Sequence, residues 1–169
     1  MWLNVLAADL CIALTGLIFI LAGLTKILKP KPFVEALIRY KILPVSLLSP
    51  VAVSLPLVEF VLGVAILRSG KSQTIAGICA LLLLTFAVAM AVNLLRGRGN
   101  TPCGCGFLGK GTISWSLVSR NVAFAGIAFG GTSGRVKIAG IAVALGLIGW
   151  ILSRTLVSQP SPAQAPARS

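Results

Sequence analysis

Cys103 and Cys105 stand one residue apart in "NTPCGCGFLG", Asn100 to Gly109, among glycines and a proline in a chain that is otherwise strongly apolar. Two thiols this close support three readings. As a redox pair, one thiolate attacks a partner's disulfide and the other resolves the mixed disulfide. That chemistry needs an accessible thiol of lowered pKa, and Arg96, Arg98 and Lys110 flank the loop. A bridge between i and i+2 closes a very small ring, which Gly104 allows by its backbone freedom, and such a strained bridge would be readily reduced and suited to exchange. As metal ligands, the two fall short of the usual four of structural zinc. The chain has no histidine, and Cys11 and Cys79 lie within apolar blocks, so no metal is expected in one chain and only a site bridged between copies remains. As part of a glycine-rich turn with Gly106 and Gly109, the cysteines would be incidental.

The absence of histidine also removes imidazole bases and Cys-His pairs, and no cofactor is expected. Cys11 and Cys79 each fall about five residues into an apolar block that begins on the same face. They read as small core hydrophobes, with a second thiol pair as the alternative.

The remaining chemistry-bearing residues are charges inside apolar blocks. Glu59 is near the middle of one and Arg120, followed by Asn121, lies two turns into another. Intramembrane ions are costly and face a partner or a wet cavity. Counted from their shared face, Glu59 lies roughly 18 Å deep and Arg120 roughly 10 Å, a gap that arginine's reach could close. The expectation is a Glu59 to Arg120 pair, with Lys26, Asn93 and Asn121 completing a polar cluster beneath the cysteine loop. Such a cluster either fixes helix register, favours thiolate in the loop, or lines a cavity for a small polar or quinone-like substrate.

The elements that position these residues follow from composition. Of 169 residues 57% are hydrophobic and 11% charged, with a mean hydropathy of +1.00, which is outside the soluble globular range. The expected fold is all-α, a polytopic membrane bundle of four to five transmembrane helices in a lipid bilayer, forming one domain over 1–157 before a disordered Pro/Ala/Ser tail, 158–169. Spans are expected at about Val5 to Leu28, retained rather than cleaved, then Leu47 to Leu67, Thr74 to Leu95, Ile113 to Gly130 and Val136 to Leu156. Between the first two, "PKPFVEALIRYKILP" alternates apolar and charged residues with helical period, which predicts a short helix on the membrane surface. Small residues at Gly126 and Gly130, and at Ala142 and Gly146, suit close helix packing.

The net charge of +12 would suggest nucleic acid in a soluble protein; here the basic residues sit between apolar blocks as anchors, and no nucleic-acid partner is expected. Lys29, Lys31, Arg39, Lys41, Arg96, Arg98 and Lys110 share one face, against Arg68, Lys71, Arg135 and Lys137 on the other. The positive-inside rule then places the cysteine loop in the cytoplasm and the N-terminus outside.

The order of several motifs carries a resemblance. "GLIFILAGLTKILKPKPFVEALIRYKILP", "LPLVEFVLGVAIL", "CGCGFLG" and "SLVSRNVAF" together resemble the methylamine utilisation MauE family, within the wider DoxX-like group, over about Leu10 to Phe129. Gly23 and Lys26 match its Gly-x-x-Lys, Pro56 and Glu59 its Pro-x-x-Glu, Cys103 to Cys105 its Cys-Gly-Cys, and Arg120 with Asn121 its Arg-Asn pair. Gly106 before Phe107, and Leu108 between Phe107 and Gly109, lengthen the loop relative to the family pattern. The resemblance implies a multi-pass protein of the cell membrane that supports thiol-disulfide exchange in maturing the disulfide-rich small subunit of methylamine dehydrogenase, with a thioredoxin-like partner. It also implies chemistry on the external side, opposite to the charge count. A non-catalytic anchor for a soluble oxidoreductase and a small-solute transporter are the alternatives.

Overall fold

The computed structural model describes residues 2–69, 72–104 and 111–132. Along them run α1 (Trp2–Leu28), α2 (Pro30–Tyr40), α3 (Val45–Ser69), α4 (Gln73–Leu95) and α5 (Trp115–Thr132). Three are long and apolar enough to cross a bilayer: α1 over Ala8–Leu28, α3 and α4. Their outward faces are greasy at helical spacing. Leu10, Leu14 and Leu17 on α1 and Val53, Leu57 and Val61 on α3 are exposed, as suits residues that meet lipid rather than water. The chain is a helical membrane bundle.

Where the expected fourth span begins, the structure differs. The helix starts at Trp115 rather than Ile113, because the Ile113 N–H is engaged by the Thr101 carbonyl at 2.8 Å and its side chain is buried in the loop's own small core. The expected fifth span, the tail and the small pair Ala142 and Gly146 lie outside the described residues.

α1 is central, packing along both α3 and α5, while α4 packs along α5. The main core joins Ile12 and Phe19 of α1, Ile66 of α3, Cys79 and Leu83 of α4, and Ala125 and Ala128 of α5. Cys11 and Cys79 are both free thiols, the former half-buried and the latter fully buried.

The seam between α1 and α3 is closely packed, and glycine makes it possible. A Cβ on Gly23 would lie 2.7 Å from the Pro56 carbonyl oxygen and 2.8 Å from the Phe60 nitrogen, both backbone atoms that cannot swing away. One on Gly63 would meet the Gly16 oxygen at 2.8 Å. Gly16 and Gly23 are two turns apart and so share a face. This close approach brings Lys26, one turn beyond Gly23, level with Glu59, one turn beyond Pro56.

Two outcomes follow for detergent-solubilised protein in a Cys11→Ser background, with unfolding followed by reaction of the buried Cys79 thiol with a fluorogenic maleimide. Gly23→Leu lowers stability by at least about 1–3 kcal/mol through overpacking. Glu59→Ala costs about 3–5 kcal/mol by leaving a buried ammonium unpaired, whereas Lys26→Met with Glu59→Leu recovers most of it. Equal loss in the single and double variants would show that the pair is not the coupled unit.

Candidate functional site

Lys26 Nζ donates to both carboxylate oxygens of Glu59, at 2.5 Å and 2.6 Å, and both side chains are buried. Its ammonium also lies 5.3 Å from the centre of the Phe33 ring and 5.1 Å from that of Phe86, within reach of their π faces. The partner of Glu59 is therefore Lys26 rather than the expected Arg120. Counting depth from the loop face compared only rise along each helix; the glycine seam decides which cation lies at the right azimuth, and it puts α1 against α3.

Arg120 still belongs to the site. A cavity of about 310 Å³ opens between the helices, with Lys26, Glu59, Arg120, Asn121, Cys103 and Gly104 in its wall. Asn121 is fixed by donating from Nδ2 to the Leu117 carbonyl at 2.8 Å. Thus the structure brings together Lys26, Glu59, Arg120, Asn121 and the first cysteine of the loop. Asn93 is set apart. It is fully buried, donates from Nδ2 to the Ala89 carbonyl at 3.0 Å, and does not line the cavity. Its Oδ1 has no hydrogen-bond partner among the described residues.

The cysteine loop is built onto the end of α4 by a defined turn. Gly97 takes φ +71° there, with its N–H on the Leu94 carbonyl and the Arg98 N–H on the Asn93 carbonyl, the paired bonds of a Schellman closure. Thr101 then accepts the Ile113 N–H, and the Cys103 N–H donates to the Gly111 carbonyl at 3.0 Å, so the strand segments on either side of the loop pair antiparallel at Pro102 and Thr112. Cys103 is 4% exposed, packs with Met90 and Ile113, and is disulfide-bonded. Gly104 takes φ +64°, and a Cβ on it would sit 2.6 Å from that of Ala36, so glycine is required twice over. Cys105, Gly106 and Gly109 lie outside the described residues.

Sequence reasoning missed what holds this loop from below. Tyr40 donates its hydroxyl to the Cys103 carbonyl at 3.2 Å, and burial pushes its phenol up to about 12, so the donor proton stays in place through the neutral range. Phe33, Ala36, Leu37 and Tyr40 all line the cavity. Their i, i+3, i+4, i+7 spacing was the available signal: the apolar stripe of α2 faces a protein cavity and the cysteine loop, while Lys31, Glu35 and Arg39 face outward.

Comparison with known proteins gives a consistent kinship. The model of the family described as "Methylamine utilisation protein MauE" matches residues 3–134. The chain is 36% identical to the methylamine utilization protein MauE of Paracoccus denitrificans over 114 residues, which is 67% of this chain and 61% of that protein. It is 30% identical to that of Methylophilus methylotrophus over 130 residues, 76% of this chain and 68% of that protein. With the Methylorubrum extorquens relative it shares 32% identity over 110 residues, 64% of this chain and 59% of that protein, so the chain spans about three fifths of the length of the Paracoccus denitrificans and Methylorubrum extorquens proteins. No solved structure matches it. With a family model matching residues 3–134 and curated relatives at 30–36% identity, the chain belongs to the methylamine utilisation protein MauE family.

Proposed function

We propose that this protein is a multi-pass component of the cell membrane serving methylamine utilisation, and that it supports thiol-disulfide exchange with Cys103 and Cys105 as the exchanging pair. The observation that carries the reading is Cys103 itself: it is disulfide-bonded while Cys11 and Cys79 are free thiols, and Cys105 is the remaining cysteine of the chain. The relatives' name supplies the pathway.

In the exchange, a partner thiolate attacks one sulfur of the pair, the Cys103 to Cys105 bond breaks, and a mixed disulfide forms. The partner's second thiolate then releases it. The partner has lost two electrons and two protons and holds a new disulfide; Cys103 and Cys105 are left as thiols. Because Cys103 is buried, the partner's thiolate attacks Cys105 in this scheme and Cys103 leaves as the thiolate. The partner is of thioredoxin-like type or is the disulfide-rich small subunit of methylamine dehydrogenase, and the exchange takes place on the external side, where disulfides persist.

Complementation of a methylamine-utilising strain lacking its own copy tests this. Cys103→Ser is expected to lower mature methylamine dehydrogenase activity at least about tenfold, and the lone Cys105 thiolate, attacking the disulfide of an oxidised partner, is expected to stay in a trapped mixed disulfide. Unchanged activity in the double serine variant, with the protein still inserted, would overturn the reading.

The loop's positioning has its own test. Tyr40→Phe removes one hydrogen bond worth about 1 kcal/mol and should speed exchange of the Cys103 and Ile113 amides about fivefold, with helix amides in α3 unaffected. Gly104→Val should do more, since it meets both the positive φ and Ala36.

A further inference from the structure

The cavity under Cys103 is mostly apolar and lies between the helices, and the exchange reaction with a soluble partner does not require it. Its volume of about 310 Å³ falls at the small end of the range of ligand sites. Most of its wall is hydrocarbon, from Ile18 and Phe19 of α1, Leu55 of α3 and Leu82 of α4. Exposed Ile42 and Thr85 are also part of the wall, so the cavity reaches the outer surface of the bundle. A ligand entering there comes from the lipid and carries an apolar body.

The polar end is equally specific. An ammonium has three N–H donors. Glu59 takes two from Lys26, and the third is available to a ligand oxygen. Phe33 and Phe86 flank that ammonium, and flat aromatic side walls favour a flat ring. Arg120 adds a second cationic side chain to the wall that holds Lys26. Two cationic side chains at one end disfavour an organic cation and suit carbonyl oxygens that gain negative charge on reduction. Finally, Cys103, which is disulfide-bonded, is part of the same wall.

We propose that this cavity binds the ring of a lipid-soluble quinone, with a ring carbonyl toward Lys26 and Arg120 and the hydrocarbon tail leaving toward the lipid. The binding proposal stands on the cavity; its chemical consequence rests on the thiol reading above. There, the reduced Cys103 and Cys105 pair transfers two electrons and two protons to the quinone. Both S–H bonds break, the S–S bond forms, and each ring carbonyl becomes a hydroxyl. The disulfide is restored and the quinol departs into the bilayer, so the pair can oxidise the next partner.

The test uses the purified full chain in detergent and a short-chain ubiquinone analogue as probe, with bound probe measured by equilibrium dialysis. Saturable binding is expected, weakened at least about tenfold by Ala89→Phe, which fills the cavity from α4, and by Leu55→Trp, which fills it from α3. Both variants are checked for monodispersity and for wild-type protection of Cys79, and agreement between them guards against a folding defect in either. Absence of saturable binding, equal binding in wild type and both filled variants, or equal displacement by a simple fatty acid would overturn the proposal. A second arm reduces the protein, removes the reductant, adds the probe without oxygen and follows loss of quinone absorbance. Quinol formation that Cys103→Ser abolishes supports both the site and the exchange; saturable binding with no quinol formed supports the site and counts against the exchange.

Discussion

The buried pair of Lys26 and Glu59 is the constraint on which the rest of this structure depends. Neither charge tolerates the interior of a membrane bundle alone, and each satisfies the other through two short hydrogen bonds. The pair cannot form unless α1 and α3 approach more closely than ordinary side chains allow, which is why Gly23 faces the backbone at Pro56 and Phe60. Packing and electrostatics thus specify one register between the two helices. A slip of a single turn would separate the charges and drive side chains into the neighbouring backbone.

That register has consequences at the cysteine loop. With α1 and α3 fixed, α2 follows α1 after Lys29 and turns its apolar stripe inward, so that Phe33 lies over the Lys26 ammonium and Ala36 lies under Gly104. Tyr40, one turn further, holds the Cys103 carbonyl. The loop is pinned from its other side by the Schellman turn after α4 and the short antiparallel pairing before α5. A short surface helix therefore transmits the geometry of a buried ion pair to a disulfide-bonded cysteine.

Much of this was legible in the chain and some was not, for identifiable reasons. Long apolar runs specify membrane helices almost by themselves, because an unpaired backbone cannot lie in lipid, and α1, α3 and α4 fall where those runs lie. Intramembrane charge likewise marked Glu59 and Arg120 as site residues. The identity of the ion pair was not legible, since rise along a helix gives depth but not azimuth, and azimuth here is set by glycines whose role shows only when the two backbones meet. The stripe on α2 was visible as periodicity, yet periodicity cannot tell a lipid surface from a protein cavity. Asn93 was grouped with the polar cluster by type and depth, but its own helix claims it through the Ala89 carbonyl.

The placement of Cys103 links the two halves of the site. A cysteine that served only a soluble partner would gain from exposure, since thiolate chemistry follows access. Cys103 is instead buried beside the same cavity that holds Lys26 and Arg120, on the inner side of its loop. Its carbonyl is held by Tyr40 and its amide by Gly111, so the residue is fixed from both ends while its neighbour Gly104 takes the left-handed conformation. An arrangement that commits one cysteine inward, toward cations and aromatic rings in an apolar chamber, suits a pair that faces two different reaction partners. On the proposed reading, one partner would reach the loop from water and the other would reach Cys103 from the membrane.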